Sequence, residues 1–335
     1  MKRRIALGFL IAAVLLALLV TLVGREQVFE DLSGANPTVV ALGLGSGALM
    51  LVFRGLVWVQ FLRTIDASIT RRHVYGIFFS AMFVKYVTPY GQVATEPFVA
   101  YIASRDAEMA YEDGLAGVLS ADVLNYVPYY SFGFLAIGWT IANGAVGADI
   151  QSYLIAFSGV FLALITLSFV VVKRPGVIYR IVLGTVSVVQ RPVSRVAGGF
   201  AAKLSPAAVR ERLDGFYRSV DVIAADRKLL VVSTLYAHVG MVFLMLPIYL
   251  GGQALGYDIA VSVVVLAAAL GKLGAFVPAP GGLGGVEGFV TGALVILGSL
   301  SPSAAFSIAL IYRVCTYWLT IFVGGMGAFA LVLRR

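Results

Sequence analysis

Charge is scarce in this sequence. Asp, Glu, Lys and Arg make up 13% of its 335 residues, against roughly 25% in an ordinary soluble domain. Hydrophobic residues make up 60%, far more apolar surface than a soluble core of this size needs. The chain must use lipid as a solvent, where every backbone N–H and C=O has to be satisfied internally and only helices or closed barrels persist. Its apolar runs are long and continuous rather than short and alternating, which favours helices over a barrel. Cysteine is nearly absent: Cys315 stands alone, so no internal disulfide can form and the redox compartment stays undetermined. Histidine is almost as rare, and His73 and His238 lie far apart without neighbouring Cys or acidic clusters. No metal site and no cofactor are expected. A Gly-Lys-Ser/Thr phosphate loop is also missing, which argues against direct drive by ATP.

What is present is a series of membrane-length apolar segments. Met1-Lys2-Arg3-Arg4 precedes an apolar run from Ile5 to Val23, too long for a signal core and followed by no Ala-x-Ala site, so it reads as a retained first membrane helix. Further spans are expected at about Pro37–Leu62, Gly114–Ala142, Gln151–Val172, Leu229–Leu250 and Pro302–Leu333. Two other apolar regions, about Val74–Ala103 and Ile259–Leu297, are interrupted by Thr88-Pro89-Tyr90-Gly91 and by Pro278-Ala279-Pro280-Gly281-Gly282-Leu283-Gly284-Gly285. Such breaks expose backbone groups that a membrane tolerates only inside protein or beside a wet cavity. Both regions read as re-entrant helical hairpins. The expected fold is all-α and integral to the membrane: one polytopic domain over 1–335, with about six full spans plus two re-entrant hairpins.

Charge placement orients it. With both termini cytoplasmic, all but five of the 25 Lys and Arg fall on the inner side; Arg25 is outside, and Arg54, Lys85, Lys272 and Arg313 lie within apolar regions. Arg54 and Lys85 are assigned to the inner interface, within snorkelling reach. The basic stretch 173–228 reads as one or two amphipathic helices on an anionic inner leaflet. The net charge of +8 is accounted for by this positive-inside bias, and no nucleic-acid partner is expected.

The two interrupted regions are related to each other. Pro89, Gly91, Glu96, Phe98 and Val99 match Pro280, Gly282, Glu287, Phe289 and Val290 at a constant shift of 191 residues, five identities in eleven positions. The same shift places Asp122 opposite Arg313. With the first hairpin entering from inside and the second from outside, the halves, about 37–142 and 229–333, form an inverted repeat of the kind secondary transporters use. Interrupted helices present free N–H groups and positive helix ends, which favour phosphate or carboxylate ligands. Glu96, Asp122, Lys272, Gly281, Gly282, Glu287 and Arg313 are therefore the candidate substrate-binding residues, and no catalytic residue is assigned. Plainer roles compete: Glu96 and Glu287 as helix caps, Lys272 as an anchor, and the glycines as packing surfaces. An ion pair between Asp122 and Arg313 across the pseudo-symmetry axis is expected, because isolated intramembrane charges cost about 2.5–3.5 kcal/mol.

Phe276-Val-Pro-Ala-Pro-Gly-Gly-Leu-Gly-Gly-Val-Glu287 with Ile311-Tyr-Arg313-Val-Cys-Thr-Tyr-Trp318 resembles the carboxyl-terminal signature of the flippase-like family. That family includes the membrane domain of lysylphosphatidylglycerol synthases. Lys85-Tyr-Val-Thr-Pro89-Tyr-Gly91 through Glu96 resembles its first signature, except that Pro97 stands where the family has a basic residue, and no Arg shortly precedes Asp122. The resemblance implies a stand-alone member, lacking the aminoacyltransferase domain, that moves a polar lipid between leaflets of the cell membrane. The lipid would be a phospholipid, an aminoacylated lipid or a polyprenyl-phosphate-linked sugar. The expected partners are membrane lipids bearing phosphate, with a homo-oligomer compatible with the sequence. Two rivals are a membrane-embedded glycosyltransferase-like enzyme and a non-transporting scaffold for a lipid-modifying enzyme. The acidic outer loop Glu26…Glu30-Asp31 has no paired-carboxylate or His-rich set around it to favour the enzyme.

Overall fold

The computed structural model describes residues 2–89, 91, 96–106, 109–143, 173–196 and 205–333, with scattered positions between 152 and 170; within these, the side chains of residues 2–9, 11–12, 96, 98, 103, 105–106, 187–196 and 330–333 are not described. Every regular element among the described residues is helical. In chain order they are α1 Lys2–Val23, α2 Arg25–Gly34, α3 Pro37–Ile65, α4 Arg71–Val87, α5 Glu96–Asp106, α6 Tyr111–Ala142, α7 Pro175–Val196, α8 Pro206–Ala225, α9 Arg227–Ala254, α10 Val261–Gly274, α11 Gly285–Gly298, α12 Pro302–Arg313, a π-helical turn Val314–Trp318, and α13 Leu319–Leu333. Helices thus occur where the apolar runs predict them. Among the described residues, three stretches are long and apolar enough to cross a membrane: Pro37–Ile65, Arg227–Ala254 and Pro302–Phe329. The expected span over Gln151–Val172 lies for the most part outside the described residues.

Local chemistry sets the helix starts. Asn36 caps α3 by accepting from the Thr38 N–H at 3.0 Å, with Pro37 in the first turn where its missing donor costs nothing. Asp226 caps α9 through the Leu229 N–H at 2.9 Å. These two long helices pack antiparallel at the centre. The Asn36 N–H donates to the Ala254 carbonyl at 2.9 Å, the Ser46 hydroxyl donates to the Phe243 carbonyl at 2.7 Å, and Phe53 stacks on Phe243 at 5.7 Å. Exposure is inverted relative to a soluble protein. Leu135, Trp139 and Phe322 are about two-thirds exposed, whereas Lys85, Asp122, Glu287 and Arg313 are buried, as expected where the surrounding solvent is lipid.

The helices of the second interrupted region fold back on each other. A Cβ on Gly271 would press on Val290, one on Gly274 would collide with Gly285, and one on Gly298 would touch Val263. These contacts fold α10 and α11 back on each other so that Val261 and Gly298 lie at one end. The second break carries positive φ at Gly281, Gly282 and Gly284. α4 and α5 flank the first break in the same order. Pro89 and Pro280 meet in an isolated antiparallel backbone bridge, joining the two breaks directly.

The helix bounds keep the 191-residue spacing. Shifted by 191, α3 falls on 228–256 beside α9, α4 on 262–278 beside α10, α5 on 287–297 inside α11, and α6 on 302–333, the full extent of α12, the π-turn and α13. Even the irregularities correspond: Pro128 interrupts the ladder of α6, and the shifted position follows the π-turn directly. The basic stretch forms two amphipathic helices, α7 and α8, joined by a Tyr179 hydroxyl donating to Asp214 at 2.5 Å and by Tyr179 stacking on Tyr217. α8 is tied to the start of α6, where Ser219 donates to Asp113 at 2.5 Å.

Candidate functional site

Where the breaks meet, α3, α4, α6, α9, α10 and the turn after α12 line a narrow chamber of about 60 Å³. Its charged lining is Arg54, Lys85, Asp122, Lys272 and Arg313, with Glu287 directly behind Arg313. Tyr86, Tyr126, Tyr129, Tyr312 and Tyr317 supply much of the rest.

Two buried ion pairs organise these charges, one in each half. In the first, the last turn of α4 carries Lys85, whose ammonium pairs with Asp122 of α6. The Trp58 indole N–H of α3 donates to the other Asp122 oxygen at 2.9 Å, so both carboxylate oxygens are engaged. In the second, Glu287 lies in the first turn of α11. Its Oε2 accepts the Gly284 N–H at 2.7 Å, capping the helix, and its Oε1 accepts from Arg313 Nε at 2.8 Å. A second Arg313 nitrogen donates to the Gly281 carbonyl at 2.9 Å, and the guanidinium lies 4.2 Å from the centre of the Tyr317 ring. Each pair ties a helix beside a break to the membrane helix that follows that region. Engaging both oxygens of each carboxylate in this way makes a buried charge tolerable.

These contacts correct two expectations. Asp122 and Arg313 share the chamber but do not pair with each other: each is held by a residue of its own half. The shift that equates two positions says only that they are equivalent, not that they touch. Arg54 and Lys85 are not interfacial; both face the chamber, and Lys85 is 4% exposed.

Of the remaining candidates, Lys272 lies in the last turn of α10 with its ammonium 4.1 Å from the Tyr126 ring centre. Gly281 is buried at φ +57°, where a Cβ would strike the rings of Tyr317 and Tyr86. Gly282, also buried, would press a Cβ on the backbone at Gly274 and Ala275. The packing and site readings of these glycines therefore coincide. Glu96 opens α5, and its side chain lies outside the described residues.

The chamber tyrosines and Trp58 escaped the sequence reading. A signal existed for one pair: Tyr126 and Tyr317 stand 191 residues apart, as Asp122 and Arg313 do. Tyr317 closes the seam, its hydroxyl 3.3 Å from the carbonyls of both Tyr86 and Pro280 and its ring 5.5 Å from that of Tyr86.

A family model described as the lysylphosphatidylglycerol synthase TM region matches residues 5–324. The chain belongs to this family. The match takes in both breaks, both ion pairs and every chamber residue named above, so the lysylphosphatidylglycerol synthase TM-region family is the setting for the whole site, and the flippase-like resemblance of the two signatures holds. Members are integral membrane proteins. Two relatives from Methanothermobacter thermautotrophicus, each described as a UPF0104 membrane protein, are similar along their length. One is 24% identical over 337 residues, covering 99% of this chain and 96% of its own. The other is 24% identical over 341 residues, covering 98% and 93%.

Proposed function

We propose that this protein moves a polar lipid, phospho- or polyprenyl-phosphate-linked, between the leaflets of the cell membrane, without chemically altering it. The observation that carries this reading is the chamber itself: buried, paired charges gathered where two interrupted hairpins touch through Pro89 and Pro280. Intramembrane charges of this kind mark substrate pathways, and transporters place their sites at discontinuous helices near the midplane.

An inverted repeat is the architecture this reading requires, and several features support it. α3 and α9 are equivalent under the 191-residue shift and pack antiparallel. Two equivalent membrane-crossing helices that run antiparallel place the relating axis in the membrane plane, which inverts one half relative to the other. α10 and α11 have 14 residues each, about 21 Å of helix, too short for a hydrocarbon core of about 30 Å. On this reading they dip into the bilayer from one face while α4 and α5 dip from the other, about six full spans cross it, and both termini are cytoplasmic. Access then alternates by moving the halves past each other at the Pro89–Pro280 seam, each hairpin carried by its own ion pair.

Purified protein in liposomes containing a chain-labelled phospholipid tests the proposal. The wild type is expected to speed transbilayer movement well above protein-free vesicles, and Glu287→Gln and Arg313→Ala to lose about tenfold or more, as loss of charge-assisted hydrogen bonds implies. Wild-type protein that leaves exchange at the protein-free level would refute transport and favour a scaffold.

A further inference from the structure

Asp122 and Arg313 occupy equivalent positions in the two halves, and each is fixed in an ion pair of its own half. Arg54 stands apart from this repeated frame. Its equivalent under the 191-residue shift is the apolar Met245, and it forms no ion pair with any described residue. Asp122 attracts it through space, but Lys85 and Trp58 already engage the two Asp122 oxygens. The Glu287 oxygens are engaged in the same way by Arg313 and the Gly284 N–H.

The surroundings of Arg54 aim it at the chamber. It follows Met50 by one turn of α3, on the same face, and both line the chamber. Gly240 of α9 makes room for its stem, since a Cβ there would lie 3.4 Å from the Arg54 Cγ. Its hydrogen-bonding neighbour Tyr129 is a neutral phenol. A guanidinium stays protonated in proteins, so the charge of Arg54 does not depend on its surroundings. Its planar fork matches two oxygens of one phosphate.

We propose that Arg54 is the contact for the lipid phosphate, its guanidinium taking two phosphate oxygens inside the chamber. What the contact serves rests on the transport reading, but the contact itself is a binding property that can be measured separately. It recognises the phosphate and not the net charge of the head group, so phosphatidylglycerol and phosphatidylcholine use it alike.

The test titrates the detergent-solubilised full chain with chain-labelled phosphatidylglycerol, phosphatidylcholine and diacylglycerol, the last having no phosphate. The wild type is expected to bind both phospholipids more tightly than diacylglycerol. Arg54→Gln should weaken both by about tenfold, the effect of losing a charge-assisted contact, and leave diacylglycerol unchanged. Arg54→Lys should fall between, because a point charge replaces the fork. Unchanged phospholipid binding by Arg54→Gln, a loss confined to phosphatidylglycerol, or an equal loss for diacylglycerol overturns the proposal. Inorganic phosphate in large excess should not displace either phospholipid; displacement would make the free anion the ligand and overturn the lipid assignment. If Arg54→Gln does not elute as a single species, Arg54→Lys decides: wild-type affinity for both phospholipids overturns the proposal, and weaker binding of both with diacylglycerol unchanged upholds it. Liposome assays on the same variants separate the two readings. Phospholipids that bind through Arg54 but do not cross refute transport and leave the contact standing, whereas crossing with binding unaffected by Arg54→Gln refutes the contact alone.

Discussion

Pro89 and Pro280 occupy the same position in the two halves of the chain, 191 residues apart, and they face each other across an antiparallel backbone bridge. Neither residue has an N–H to contribute, so the facing pair itself donates no hydrogen bond across the bridge. It is the seam between the two halves, with the Tyr86–Tyr317 ring contact beside it.

Cross-linking the seam should therefore stop transport. Residues facing each other in an antiparallel pair have Cα atoms about 4.5–5.5 Å apart, within the range a disulfide accepts. Oxidation of a Pro89→Cys/Pro280→Cys protein is expected to lower lipid movement to the protein-free rate, with reductant restoring it. Cys315 is fully buried and can remain in place. Undiminished movement with the bond formed would mean the seam does not open during the cycle.

The ion pairs predict a pattern of energetic coupling. Removing one partner of a buried pair costs about 3–5 kcal/mol, because the other is left uncompensated. Lys85→Met and Asp122→Asn should each destabilise strongly, yet the double variant should lose much less than the sum. Glu287→Gln and Arg313→Met should behave likewise. An Asp122→Asn/Arg313→Met cycle crosses the two halves and should be additive to about 0.5 kcal/mol. Denaturant titration of the purified protein in mixed micelles measures all three. A large coupling in the crossed cycle would favour a direct Asp122–Arg313 pair instead.

Gly281 and Gly288 lie seven residues apart and should respond oppositely to alanine. At Gly281 the φ of +57° costs an L-residue about 1–2 kcal/mol, and the added methyl would strike Tyr317 and Tyr86. A clear loss of thermal stability is expected for Gly281→Ala. Gly288 is inside α11 with open space around its Cα, so Gly288→Ala should be neutral or stabilising by up to about 1 kcal/mol. Equal effects at the two sites would show that the break is looser than its packing implies.

The contrast between what the sequence revealed and what it hid follows from the range of the interactions. The breaks at Pro89 and at Pro280–Gly285 were legible because Pro and Gly act on their own backbone. The 191-residue relation was legible because it needs no contact at all. Asp122, Glu287 and Arg313 stood out as charges in apolar runs, and Glu287 as a helix cap is a purely local device. Choice of partner was not legible. That Lys85 turns inward, where it meets both Asp122 and the Trp58 ring at 5.5 Å, depends on which face of α4 meets α3 and α6. Hydropathy along α4 carries no such information, and proximity to the inner end suggested an interface instead. Arg54 was misplaced for the same reason.

The opposite entry of the two hairpins can be tested by labelling. One end of the bundle gathers the start of α3, the end of α9 and the contact of Ser307 with Asp31 at 3.2 Å. The other end gathers α8 with the start of α6, including the Ser219–Asp113 bond. α4 begins five residues beyond Asp66, which caps the far end of α3, whereas α10 begins seven residues after the end of α9. Chain continuity thus places Arg71 and Ala260 at opposite ends. In intact expressing cells, Ala260→Cys and Ser301→Cys should react with an impermeant maleimide. Arg71→Cys and Arg227→Cys should react only after permeabilisation, since the basic residues favour the inner side. All four positions are exposed in the fold, so failure to label reports the barrier rather than burial. Reaction of Arg71→Cys and Ala260→Cys from the same side would leave the hairpins entering together, and a chamber with both breaks on one face could not open alternately to two.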